Sequence, residues 1–114
     1  MDVYPSADQV AIAIITASRE VGADPIDVVL GNGNAGCKEG GGTTQYAISR
    51  ARAYAAFALR TVFTQCGAVA IGRMVGSRSP SGLLASLDAQ MRNKSLRWWD
   101  DKVFMRVASS LTEE

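Results

Sequence analysis

The sequence predicts an all-α fold, a compact bundle of five or six helices in a single domain over residues 1–114. Three observations predict it. Apolar residues recur at spacings of three and four in the segments on either side of residues 31–44. The stretch from Tyr46 to Phe63 is rich in alanine, the strongest helix former. Helix-start signals stand ahead of these segments at Ser6, Asp24-Pro25 and Ser79-Pro80.

Each element follows in order. Ser6-Ala7-Asp8-Gln9 has the S-x-x-Q spacing of a capping box, in which hydroxyl and amide satisfy free backbone N–H groups. Val10, Ile14, Ala17 and Val21 then recur on one face, with Ala11, Ile15 and Ser18 beside them, until Gly22 ends the helix. Asp24 and Pro25 restart the chain as N-cap and first helical residue, and the short turn Ile26 to Leu30 closes on Gly31. Residues 31–44 contain six glycines and read as a flexible loop. From Tyr46 to Phe63 a helix buries Ala47, Ile48, Ala51, Tyr54, Ala55, Ala58, Leu59 and Val62, leaving Arg50, Arg52 and Arg60 mostly off that stripe. A short helix, Ala68 to Val75, ends at Gly76. Ser79 caps the next, which runs to Asn93 with Leu83, Leu84, Leu87 and Met91 inward. Residues 95–114 form the C-terminal helix and tail, with Ser95 as cap and Trp99, Val103, Phe104, Val107, Ala108 and Leu111 at core spacing.

Composition narrows the chemistry. The chain has no His, which removes the usual general base, the Ser-His and Cys-His nucleophile pairs and the commonest zinc ligand. No enzyme activity, metal or cofactor is expected. Cys37 and Cys66 lack CxxC spacing and read as reduced thiols of a cytoplasmic protein. Apolar runs such as Val10 to Ile15 are far shorter than the roughly 18 residues a membrane span needs, and no basic segment precedes that run as in a signal peptide.

The net charge of +1 conceals an uneven distribution. Residues 1–42 hold two basic and six acidic side chains, residues 43–99 hold eight and one, and residues 100–114 hold two and four. Between Glu39 and Asp88 there are five arginines and no acid. Such a stretch creates a local positive field in a nearly neutral molecule, unless its arginines pair with the acidic N-terminal part.

Gly31-Asn32-Gly33-Asn34-Ala35-Gly36 is a literal GxGxxG, but a dinucleotide site needs a helix opening at that loop and an acid about 20 residues on, and neither follows. Gly67 to Asn93 carries more: a short helix, a glycine turn and a capped helix whose first turn holds Arg78, Ser79 and Ser81. In a helix-turn-helix, the N-terminal residues of the second helix reach base edges in the major groove. Arg73, Arg78, Ser79 and Ser81 are the candidates for base readout. Arg50, Arg52, Arg92 and Lys94 are the candidates for phosphate contact, which fixes register without reading sequence. Trp98 and Trp99, adjacent on a helix, point about 100° apart, so one is expected in the core and the other against Arg97 or Lys102. Met74, Met91 and Met105 are expected to fill the core. Asp100 and Asp101 are expected to balance Lys102 and Arg97 on a solvated face.

Three stretches resemble a known family. Glu20 to Gly31 resembles the opening corner of the C-terminal DNA-binding domain of the bacterial replication initiator DnaA, a helix end followed by a short v-x-x-x-D-L-x-G helix. Arg50-Ala51-Arg52-Ala53-Tyr54-Ala55-Ala56-Phe57-Ala58-Leu59-Arg60 resembles its R-x-R-Q-x-A-M-Y-L-A-R helix. Ile71 to Leu84 resembles its I-G-x-x-F-G-G-R-D-H-T-T-V-L signature. Arg78 matches, while Ser79, Pro80, Ser81 and Gly82 replace the base-reading D-H-T-T, implying a different target sequence or weaker base readout. The family's basic minor-groove loop falls on residues 31–44, where Lys38 is the one cation. The DNA-binding part of gene-transfer-agent activators is similar more loosely. The resemblance implies a helix-turn-helix of the Trp-repressor and DnaA type that binds double-stranded DNA; a stand-alone domain of this kind suits a transcription regulator, which needs RNA polymerase or another regulatory protein as partner. The alternative is a helical adaptor whose basic face takes an acidic protein.

Overall fold

The computed structural model describes residues 4–30, 45–77, 80–92 and 98–112, and these form six helices and no strand. Helix α1 (Ala7–Val21) opens on the expected capping box: Ser6 Oγ accepts from Gln9 N at 3.2 Å and Gln9 Oε1 accepts from Ser6 N at 2.8 Å. It closes at Gly22, whose φ of 76° is the left-handed conformation that glycine adopts without strain. Asp24 Oδ1 accepts from Ile26 N at 2.9 Å and starts α2 (Pro25–Leu30). Then come α3 (Gln45–Val62), α4 (Ala68–Met74), α5 (Pro80–Arg92) and α6 (Asp101–Thr112).

Helix α3 is the axis of the bundle and packs against all five others. Its residues 51–59 are buried on every side, with Ala51, Ala53, Ala55, Ala56 and Ala58 at 1% exposure or less. Side chains this small let neighbouring helices approach closely from several directions at once. Tyr54, Ile48 and Leu59 supply the bulk, and Val28, Ile71, Val75, Leu84 and Val107 close the core from α2, α4, the turn after α4, α5 and α6. The radius of gyration, 13.2 Å, is that of a compact chain of this length. No helix among the described residues is long and apolar enough to cross a membrane.

Two elements depart from expectation. The last helix begins at Asp101, and Trp98 and Trp99 lie in the turn before it. The acid is the reason: Asp100 Oδ1 accepts from Lys102 N at 2.8 Å and its carbonyl accepts from Phe104 N, so Asp100, exposed as expected, is also the N-cap of α6. Ser95, Leu96 and Arg97 lie outside the described residues, as do residues 31–44. Helix α1 turns Ala13, Ile14, Ala17 and Ser18 into the core and leaves Ala11 and Ile15 exposed. Met105, expected in the core, is exposed, whereas Met74 and Met91 pack against it.

Candidate functional site

The candidate site is the hairpin of α4 and α5, which pack on each other. The turn between them begins with two backbone hydrogen bonds, Gly76 N to Arg73 O at 3.1 Å and Ser77 N to Gly72 O at 2.9 Å. These are the paired bonds of a Schellman motif, which satisfies the last carbonyls of α4 and redirects the chain. Gly76 has φ of 80°, and a Cβ there would stand 2.5 Å from Val29 O and 2.6 Å from Val28 O. Glycine is needed twice over at this position, for its backbone conformation and because the turn rests directly on the carbonyls of α2.

Arg52 completes that seat and corrects its expected role. It was a candidate for phosphate contact, yet it is only 8% exposed, donating from Nε to Val75 O at 3.1 Å and from Nη2 to Val28 O at 2.9 Å. Helix α3 is buried all round at this level, so position 52 has no outward face to occupy. Its guanidinium ties the end of α4 and the middle of α2 to the centre of the bundle.

The other expected contacts divide. Arg73 is exposed on the last turn of α4, and Arg92 is exposed at the end of α5. Arg50 is half-buried, with its guanidinium 5.6 Å from the centroid of the Trp98 ring. Ser81 lies in the first turn of α5, though its side chain is outside the described residues, as are Arg78, Ser79, Lys94 and Lys38. Asp88, the one acid in residues 43–99, is engaged by both nitrogens of Arg60 at 2.8 Å. The hydrogen bonds from Arg60 hold the Asp88 carboxyl below its ordinary pKa, with the nearby charges of Arg60 and Arg92 adding to the effect. Arg106 and Glu20 make a second bidentate pair, between α6 and α1.

The tryptophans are packing residues, both of them half-buried. Trp99 stacks on Tyr54 with centroids 4.6 Å apart, and Trp98 meets the same ring edge-on at 5.5 Å. Tyr54 Oη donates to Trp98 O at 3.3 Å and accepts from Asp100 N at 2.8 Å, which anchors the turn before α6. Burial raises the pKa of this phenol.

A cleft of about 420 Å³ between α3 and α5, lined by Ser49, Ser77, Ser86, Gln90 and Trp98 among others, was not anticipated. The signal for it is the spacing of four between Gly82, Ser86 and Gln90, a small and polar row along a helix whose neighbouring face is leucine. Among the described residues no three His, Cys, Asp or Glu side chains gather as metal ligands. Cys66 is buried, and burial pushes its thiol pKa up, away from nucleophilic character. No protein-family model matches this chain, and neither a curated protein nor a solved structure matches it.

Proposed function

We propose that this chain binds double-stranded DNA through α4, its turn and α5 as a helix-turn-helix, and acts as a transcription regulator. The observation that carries the reading is the α4–α5 hairpin, fixed by its Schellman turn and seated on α2 and α3. It lies within a stretch that has no acid between Glu39 and Asp88, and Arg60 neutralises Asp88. Helix α5 enters the major groove by its N-terminal end, where free N–H groups also favour phosphate. Arg73, Arg78, Ser79 and Ser81 read bases, while Arg50, Arg92 and Lys94 hold phosphates. The likeness to the DnaA DNA-binding domain supports the same assignment, with a target altered by Ser79-Pro80-Ser81-Gly82. RNA polymerase or another regulatory protein supplies the contact that turns binding into regulation.

Selection of bound sequences from a random duplex pool, followed by anisotropy titration of the selected and a scrambled duplex, tests this. Arg78→Ala is expected to lower the preference for the selected duplex by about 1–3 kcal/mol, whereas Arg92→Ala weakens both duplexes equally. A chain that selects no sequence and shifts no duplex is not a DNA-binding protein, and the basic face then belongs to an acidic protein partner.

A further inference from the structure

The solvent face of α1 carries a stripe that is complementary to itself when reversed. Asp8, Ile12, Ile15 and Arg19 fall within an arc of roughly 60° around the helix. That arc lies opposite Val10, Ala13, Ile14, Ala17 and Val21, which face the core. Ile12 and Ile15 stay 40% and 37% exposed, and Asp8 and Arg19 are exposed beside them. Among the described residues neither of these two charges is held in an ion pair.

Read from either end, the stripe is a charge, an isoleucine, an isoleucine and the opposite charge, at spacings of four, three and four. Two copies of α1 laid antiparallel across a two-fold axis therefore set Asp8 of each against Arg19 of the other, about 16 Å apart along each helix. Ile12 of each meets Ile15 of the other between them. A parallel arrangement would face each charge with its like. We infer that this face of α1 joins two copies of the chain in a two-fold, antiparallel dimer.

The surroundings fit that occupant. Ala11, Ile14, Ile15, Pro25, Ile26 and Val29 line an apolar groove of about 260 Å³ beside the stripe, and Ile26 and Val29 are 66% and 50% exposed. They widen the apolar centre that a lone helix stripe would lack. A two-fold interface requires one patch to match itself, and the reversed charge order supplies that match. A lipid surface would call for cations where Asp8, Asp24 and Asp27 stand. Helix α1 packs on α2, α3 and α6, and the inference stands whether or not the chain binds DNA.

Sedimentation velocity of the full chain without DNA, over a concentration series, tests it with three variants. The wild type is expected to pass from monomer to dimer as concentration rises. Asp8→Arg and Arg19→Glu each place like charges at both ends of the interface and weaken the dimer about tenfold. The double variant Asp8→Arg/Arg19→Glu restores the pairs in reverse order and recovers the wild-type dimer. Both substitutions oppose the helix dipole, so damage to α1 alone would make the double variant the weakest of the four. A wild type that stays monomeric throughout overturns the inference and leaves the face to a different protein. So does a dimer that the single variants do not weaken, or a double variant no better than either single one.

Discussion

A guanidinium presents five N–H donors in a planar fork, and at position 52 that fork is aimed at two backbone carbonyls that end and flank the helix turn. Removing it leaves Val28 O and Val75 O without this buried donor, which costs far more than losing an exposed cation. Arg52→Ala is expected to destabilise the fold by about 2–4 kcal/mol in urea denaturation, and Arg52→Lys to recover only part, because one ammonium cannot match the fork. A loss of under about 0.5 kcal/mol would mark Arg52 as a surface residue after all. The sequence sets Arg50, Arg52 and Arg60 mostly off the apolar stripe, yet positions 50 and 52 point roughly 200° apart on a helix. One of them had to face elsewhere, and only the packing of α2 and the α4 turn against α3 determines that it is Arg52. Gly76 shows the converse: its place as the stop of α4 was legible from residue type, whereas its contact with the Val28 and Val29 carbonyls depends on a helix more than forty residues earlier.

Between elements, two bidentate ion pairs act as ties, Glu20–Arg106 from α1 to α6 and Asp88–Arg60 from α5 to α3. Hydrogen bonds from the arginines hold both carboxyls below their ordinary pKa values. The folded state therefore binds protons less readily than the unfolded chain, and stability from these pairs is complete above about pH 5. It is lost as pH falls below about 4 and through the folded-state values. Both pairs are partly exposed and screened by solvent, so the effect is modest. Thermal melts of Glu20→Gln/Asp88→Asn are expected to show a shallower decline on acidification than the wild type. An unchanged acid limb would show that the pairs give nothing to stability. The elements themselves were legible wherever a cap was local: Ser6 with Gln9, Asp24 with Pro25, and Pro80 each mark a helix start within a few residues. The start of α6 is the exception: its cap, Asp100, is local too, but the apolar spacing runs back through Trp99 and hides it, and the Tyr54 hydroxyl, 46 residues away, accepts from Asp100 N where the helix begins. The flank of the α1 core face, where Ser18 is buried and Ala11 and Ile15 are exposed, was not legible for a related reason. Isoleucines occur all round that helix, and periodicity alone does not say which of them meet α3.

Across the whole molecule, the segment charges of residues 1–42, 43–99 and 100–114 matter less than which cations the fold leaves outside. Arg60 and Arg106 are tied to acids and Arg52 is turned into the core, so these three basic side chains serve the fold. On the DNA-binding reading, the phosphate contacts are then Arg50, Arg92 and Lys94, one fewer than the sequence indicated. Each neutralised phosphate releases condensed counterions, and the slope of log affinity against log salt is about −0.9 per contact. Non-specific duplex binding by this chain is therefore expected to follow a slope of about −3, and Arg92→Ala to reduce its magnitude by about 1. Arg52→Lys, where it folds, should leave the slope unchanged, since that side chain meets carbonyls and not DNA. Anisotropy titrations at four or five salt concentrations measure all three. A wild-type slope near zero removes the phosphate contacts and the DNA reading with them, and a slope reduced by Arg52→Lys returns that arginine to the interface.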